Sequence, residues 1–297
     1  MTHPVTAAPA RPADAQLGEL VRHLCAESAR EEQPQPGPWP AADALEKHQW
    51  FTSPELISLY ATARWPAMGE PQRRLLSFWE AVNFYSQNIH GERLLIDGLR
   101  ARLDRPATAF LAPYLARMIE EEERHSAYFT EFCERYAGRI YPERMLTLAQ
   151  DPPEAADFLF FARVMIFEDI VDCLNVRMAA DDRLVAVARW INHDHHHEER
   201  RHLAFGRRVV LRLFADGLRD WPQPLLDEIR AALAGYVHAV WRTFYNPQCY
   251  ADAGLDEPWR LAADAFADPA AEAHRAAISR RCLRFLHKHG ILTGGAA

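Results

Sequence analysis

The sequence contains one short charged motif twice. Residues 121–125 read Glu-Glu-Glu-Arg-His and residues 198–202 read Glu-Glu-Arg-Arg-His. Each copy has a glutamate followed three residues later by a histidine, and residues three apart are neighbours on one face of an α-helix. The two pairs are Glu122 with His125 and Glu199 with His202. Two helices with this pattern restrict the possible folds, because buried carboxylates and imidazoles need compensating partners.

A further glutamate precedes each motif at nearly the same distance. The interval from Glu92 to Glu122 is only one position shorter than the interval from Glu168 to Glu199. Both upstream glutamates fall in mainly apolar helical runs, where an unpaired carboxylate costs free energy unless it is neutralised or binds a cation. Two helices with one Glu each and two with Glu-x-x-His supply the ligands of a dimetal site in a four-helix bundle. We therefore predict such a site.

The second motif has an additional histidine on the same helical stripe. His195 precedes Glu199 by four residues and His202 by seven. The three side chains therefore lie within about 60° of one another around a helix. The neighbouring histidines fall at least about 100° from His195 and point elsewhere: His193, His196 and His197.

The predicted donor set indicates which metal the site prefers. Four carboxylates and three imidazoles suit iron or manganese, because structural zinc sites favour tetrahedral Cys and His closure. Calcium and magnesium prefer oxygen ligands alone. We therefore expect two iron ions as the first choice of cofactor.

Composition excludes several functional classes. The net charge of −7 and the pI of about 6.1 argue against a nucleic-acid partner or a polybasic membrane surface. The five cysteines are odd in number and contain no CxxC pair, which favours a reducing cytoplasm over a disulfide framework or a zinc ribbon. We also expect no export signal and no membrane span. The sequence has no dinucleotide or ferredoxin motif, so electrons have to come from an external donor.

The hydrophobic pattern predicts an all-α chain without strands. Seven of the 20 prolines lie in residues 1–40, which predicts a flexible Pro/Ala-rich N-terminal arm with a possible short helix over Ala15–Ala29. Residues 41–297 are predicted to form a single domain, in which residues 43–68 cap the core and Asn246–Pro258 form a loop. The predicted helices are Gln72–Leu103, Ala107–Tyr136, Glu154–Ala180, Leu184–Phe214, Gln223–Phe244 and Pro269–His289.

The ligand order resembles that of a known family, the non-haem diiron p-aminobenzoate N-oxygenases of the ferritin-like group. The matching pattern runs through Glu92, Glu122, His125, Glu168, His195, Glu199 and His202. In this resemblance His195 is the distinguishing residue, because ordinary ferritins and most diiron hydroxylases have two histidine ligands. The similarity covers about Trp79 to Phe214, including the run from Arg201 to Gly206, and we expect it to continue to the end of the chain.

The resemblance implies a function as well as a fold. It implies a ferritin-like bundle with additional flanking helices, two iron ions, and O2-dependent oxidation of an amine substrate, typically an arylamine, toward hydroxylamine and nitro products. It also favours a homodimer. A C–H hydroxylase or desaturase with the same metal core stays open, since ligands alone do not define the reaction. A ferritin-like storage protein is disfavoured by the length and the extra helices.

The residues around the ligands are less defined by the sequence. Many diiron proteins have an aspartate just before the ligand glutamate, which holds a ligand histidine, whereas this chain has Glu121 and Glu198 there. Asp169, Asp172 and Asp194 are the alternatives. The substrate wall is predicted from side chains one or two helical turns before Glu92 and Glu168, with simple core packing as the competing interpretation: Tyr85, Asn88, Phe161 and Val164.

Overall fold

The computed structural model describes residues 12–30, 37–41, 44–144 and 151–293, and these residues are predominantly helical. The described ranges contain no β-strand, and one isolated bridge joins Trp50 to Leu184. The predicted all-α class is confirmed. The helices are α1 (Pro12–Arg30), α2 (Arg64–Ala67), α3 (Glu70–Leu103), α4 (Ala112–Phe132), α5 (Ala156–Ala179), α6 (Ala186–Asp220), α7 (Gln223–Phe244), α8 (Pro247–Asp252), α9 (Pro258–Ala267) and α10 (Pro269–Lys288).

Four long helices form the core of the bundle. Helix α3 packs along α4, α5 packs along α6, and α4 contacts α6 across the bundle. Two glycines on α3 leave room for two phenylalanine rings of α5. A Cβ atom at Gly98 would lie 2.0 Å from Cε2 of Phe160, and one at Gly91 would lie 2.9 Å from Cε1 of Phe167. The remaining helices pack around this core, α7 and α10 against α5.

Helix α6 is longer than the sequence indicated. We predicted a helix that ends at Phe214, but α6 continues to Asp220. The ring of Trp221 folds over Gly217, where a Cβ atom would lie 2.4 Å from the ring, and the Trp221 amide donates to the Gly217 carbonyl at 2.7 Å. This glycine is therefore required for ring packing and does not end the helix.

Two further predictions, the end of the helical run after α4 and the loop over residues 246–258, had different outcomes. Helix α4 is followed by the π-helical turn Cys133–Ala137, and this turn ends at Gly138, which has a left-handed φ of 65°. The helical run therefore ends close to the predicted end at Tyr136. The predicted loop over residues 246–258 instead contains α8, and α9 follows it. Both begin with a proline, which is favourable in the first turn of a helix, and Asn246 caps α8 by accepting from the Gln248 amide.

The N-terminal region is partly packed on the bundle. The predicted short helix over residues 15–29 is present as α1, which lies against α4 and α6. Its buried side chains are Leu17, Val21 and Leu24. Over α1 the expected flexible arm is thus a packed helix, because this apolar stripe is covered by the bundle. Residues 1–11, 31–36 and 42–43 lie outside the described residues. The rest of the arm over residues 1–40 and the domain boundary after residue 40 stay predictions.

The segment before α3 covers one end of the core. Phe51 is fully buried, whereas Trp50 and Trp65 are half-buried at the edge. The Ser77 hydroxyl oxygen accepts from the amides of Phe51 and Thr52, at 2.8 and 2.9 Å, and these bonds attach the segment to α3.

Within the described ranges, each helix is too short or too polar to cross a membrane.

Candidate metal centre

The four core helices bring the seven predicted ligands into one place inside the bundle. Each of these side chains is at most 4% exposed. Helices α3 and α5 supply one glutamate each, α4 supplies a Glu-x-x-His pair, and α6 supplies three residues. They are Glu92, Glu122, His125, Glu168, His195, Glu199 and His202. The helical period explains this convergence, because the predicted ligands of α4 and of α6 each occupy one stripe.

The ligand atoms meet in three overlapping groups. Within each group, one atom per residue lies within 4.8 Å of the others. Glu199 occurs in two groups and so does His195, which places both near the middle of the centre. The groups are Glu92 with His125 and His195, Glu122 with Glu199 and His202, and Glu168 with His195 and Glu199.

The two Glu-x-x-His pairs contact each other directly. Nδ1 of His125 lies 2.8 Å from Oε2 of Glu122 and 3.5 Å from Oε1 of Glu199. Nδ1 of His202 lies 3.0 Å from one oxygen of each of these glutamates. Both histidines therefore direct Nδ1 at the same two carboxylates, which lie between them.

Several buried polar atoms of the centre lack an ordinary partner. Within the described part of the chain, no donor or acceptor with hydrogen-bond geometry satisfies Oε1 of Glu92, Oε2 of Glu168, Oε2 of Glu199 or Nε2 of His195. Unsatisfied buried polar atoms are rare, and charged ones are costly. Their convergence on one small volume is the arrangement that bound cations would compensate, so the residues fit a dimetal centre.

The electrostatics of the protein alone support the same conclusion. Burial raises the pKa of Glu92 and of Glu168 well above the usual value, and the carboxylates of Glu122 and Glu199 add to both shifts. For Glu199, burial is outweighed by His202 and His195, so its pKa lies well below the usual value. Without added positive charge, the four carboxylates cannot all be anionic at low cost.

Two glutamates hold the outer nitrogens of two of the predicted ligand histidines. Nε2 of His125 donates to Glu198 at 2.8 Å, and Nε2 of His202 donates to Glu121 at 2.7 Å. Arg124 donates to Glu198 and Arg201 donates to Glu121, at 2.7 and 3.1 Å. Burial opposes ionisation of Glu198, but its bond from His125 and the charge of Arg124 lower its pKa to about 2. Glu121 and Glu198 thus make the contact that an aspartate makes in many diiron proteins.

The three aspartates considered as alternatives have other surroundings. Asp169 accepts from Arg207 and Arg281. Asp172 accepts from Arg281 and from His196. Asp194 is half-buried, and burial together with the nearby Glu198 carboxylate raises its pKa.

The third histidine has a partner that the sequence analysis missed. Nδ1 of His195 lies 2.7 Å from Nδ2 of Asn175, and both residues are fully buried. The signal was present, since Asn175 lies seven residues, or two turns, after Glu168 on α5. The neighbouring histidines follow the helical wheel: His193 and His197 are exposed with stacked rings, and His196 contacts Asp172.

A cavity of about 410 Å³ reaches one of the predicted ligands, Glu168. Its walls combine apolar and polar side chains, and Val164 is among them as predicted. Others that matter here are Phe160, Phe167, Gln87, Tyr236 and Arg144. The cavity therefore offers an aromatic wall close to the candidate metal centre.

The other three residues predicted for the substrate wall lie outside the lining of this cavity. Tyr85 packs on Phe129 and accepts from Asn192. The Asn88 side chain donates to a backbone carbonyl one turn earlier on α3, at 2.8 Å. Phe161 lies against other rings of the core. These contacts are those of core packing, which was the competing interpretation.

Comparison with known families gives one extended match. A family model described as p-aminobenzoate N-oxygenase AurF matches residues 14–290. The match includes all seven predicted ligands and extends beyond residues 79–214 on both sides. A comparison with curated proteins gave no match.

Proposed function

Because this chain belongs to the p-aminobenzoate N-oxygenase AurF family, we propose that it is a non-haem diiron oxygenase that uses O2 to oxidise the nitrogen of an amine. The observation that carries the proposal is the convergence of the seven buried ligands, with orphaned atoms directed at one small volume. Their order along the chain is the order expected from the family. The third histidine in this set favours the N-oxygenase assignment over ordinary ferritins.

Each ligand has a role that follows from its position. Glu122 and Glu199 lie between His125 and His202, so these two carboxylates would help to hold both ions. Glu92 and Glu168 come from the other two core helices, α3 and α5. Glu121 and Glu198 keep the proton of each imidazole on Nε2 and leave the Nδ1 lone pair for the metal.

The chain supplies binding and orientation, while the two iron ions, when bound, supply the activation of O2. We place the amine in the cavity beside Glu168, where Phe160 and Phe167 offer faces for an aromatic ring. The polar groups of Gln87 and Tyr236 lie in the same lining and can orient a polar substituent. Electrons come from an external donor in this proposal, and a homodimer remains a prediction.

The test uses the iron-loaded protein. Reduced protein is incubated with isotopically labelled O2 and a panel of aryl and alkyl amines, and product masses are followed. We expect labelled oxygen on nitrogen in at least one product, together with about two iron ions per chain. Glu199→Ala should lose both the paired iron site and the product, whereas the exposed His197→Ala should keep both.

Other outcomes separate the competing functions. Labelled oxygen on carbon, or a new double bond, would assign the chain to the C–H hydroxylases or desaturases with the same metal core. Iron that is oxidised and retained without any organic product would favour a ferritin-like role. Wild-type protein that binds one iron ion or none would contradict the dimetal site itself.

A further inference from the structure

The three predicted histidine ligands are held in two different ways. His125 and His202 have carboxylate partners at Nε2 and direct Nδ1 at the centre. His195 has an amide partner at Nδ1 and directs the opposite nitrogen, Nε2, at the centre. The histidine that differs, His195, is the residue that distinguishes the resembled family from ordinary ferritins.

The contact between Asn175 and His195 is short, buried and direct. The Nδ2 and Nδ1 atoms are 2.7 Å apart, and both side chains are fully buried. Nε2 of His195 has no hydrogen-bond partner within the described ranges, and it lies 3.4 Å from Glu199 and 3.7 Å from Glu92. The two nitrogens are too close for water to intervene, so the amide acts on the imidazole directly.

The chemistry of the two partner types explains the difference. An ionised carboxylate can only accept, so Glu198 and Glu121 keep a proton on Nε2 of their histidines whether or not a metal is present. A carboxamide presents either a donor NH2 or an acceptor oxygen, and a half-turn of the amide group exchanges the two. With NH2 toward Nδ1, the proton of neutral His195 resides on Nε2. With the oxygen toward Nδ1, the proton resides on Nδ1 and Nε2 has a lone pair.

A metal ion at the centre requires the second arrangement. We propose that Asn175 is the positioning residue of His195: in the loaded protein its side-chain oxygen accepts the Nδ1 proton, so that Nε2 donates its lone pair to the metal. The inference rests on the proposed function, because it needs a metal at this site. Being neutral, the amide polarises its imidazole less than a carboxylate does, which makes His195 the weakest donor of the three.

The first test reads the tautomer without any catalytic turnover. The protein is labelled with ¹⁵N in histidine, loaded with Zn²⁺ as a diamagnetic probe, and compared with His195→Gln to assign the ring. We expect His195 to carry its proton on Nδ1 and to bind Zn²⁺ through Nε2. A proton on Nε2 in the loaded protein would overturn the proposal.

The second test measures Co²⁺ affinity in matched variants by absorbance titration. Asn175→Leu keeps the volume and removes the acceptor, so the weaker of two Co²⁺ ions should bind about tenfold less tightly. Asn175→Asp restores an acceptor and should bind at least as tightly as the wild type. Asn192→Leu is the control, because Asn192 is an equally buried amide whose NH2 contacts Tyr85 and the Ala188 carbonyl instead of a predicted ligand.

The outcomes distinguish this inference from the proposed function. If wild-type protein and Asn175→Leu bind both Co²⁺ ions equally well, the role of Asn175 is refuted and the dimetal site stands. If Asn175→Asp fails to restore the affinity lost in Asn175→Leu, the asparagine is a packing residue only. If the wild type binds no Co²⁺, both the site and the inference are refuted. Should Asn175→Leu fail to fold, the tautomer measurement on the wild type decides.

Discussion

Glu198 on α6 accepts a hydrogen bond from His125 on α4 at 2.8 Å, across 73 residues of sequence. The reverse contact joins Glu121 on α4 to His202 on α6, across 81 residues. Each Glu-x-x-His helix therefore carries predicted ligands and also holds the histidine of the other helix. This reciprocity links the register of α4 and α6 to the geometry of the candidate metal centre.

The first prediction concerns this cross-bracing. Glu198→Ala removes the acceptor for Nε2 of His125, so the tautomer and the orientation of that ring are no longer enforced. Iron affinity should fall by about 10-fold to 100-fold, as is usual when an outer partner of a ligand histidine is lost. The measurement is iron content after dialysis against a graded chelator. Glu120→Ala, an exposed glutamate on α4, serves as the control, and equal iron retention by both variants would contradict the prediction.

The second prediction concerns the third histidine. His195→Ala leaves six ligands, so the protein should stay folded and retain much of its iron at saturating concentration, but amine N-oxidation should be lost. Metal analysis tests the retention of iron, and mass spectrometry of the products tests the loss of amine N-oxidation. His193→Ala and His197→Ala should behave like the wild type, since both side chains are exposed. Full activity in His195→Ala, with loss in either neighbour, would show that the assigned ligand is wrong.

The third prediction tests the cavity as the amine site. Val164→Phe adds bulk to the lining beside Glu168, so kcat/KM for the largest accepted amine should fall about tenfold while iron content is unchanged. Small amines should be affected less. The matched control is Val176→Phe, which makes the same exchange at an exposed position of the same helix. An identical specificity profile for the two variants would place the substrate elsewhere.

The fourth prediction concerns a buried carboxyl group away from the metal centre. Burial raises the pKa of Glu80 to about 7, although the amide and hydroxyl of Ser58 donate to it and oppose the shift. Between pH 4.5 and 7 the folded state therefore binds a proton that the unfolded state has released. The free energy of unfolding should fall as pH rises through this window, and then level off above it.

Glu80→Gln removes this ionisation while keeping one acceptor for Ser58. Between pH 5 and pH 8 the free energy of unfolding of the wild type should fall by about 2 kcal/mol more than that of Glu80→Gln. Chemical denaturation at the two pH values, with the metal content matched, measures the difference. Glu154→Gln at an exposed position should track the wild type, and a Glu80→Gln variant that also tracks it would show that Glu80 is ionised throughout.

The grouping of the seven predicted ligands could be predicted from the sequence because its determinants are local. Glu122 and His125, or His195 and Glu199, share a helical face whatever the rest of the fold is, since the 3.6-residue period alone places them there. The same argument separated the buried His195 from the exposed His193 and His197. Repetition of the motif with matched upstream glutamates then indicated four helices around one centre.

The contacts between helices were decided only by the tertiary structure. Whether Glu198 or an aspartate such as Asp172 reaches a predicted ligand histidine depends on the rotation and register of α4, α5 and α6. Many packed side chains set that rotation and register together. The same is true of Asn175 against His195 and of Tyr85, which faces Phe129 and lies outside the cavity lining. Helical periodicity orders residues within one helix, whereas the angle between two helices comes from packing across them.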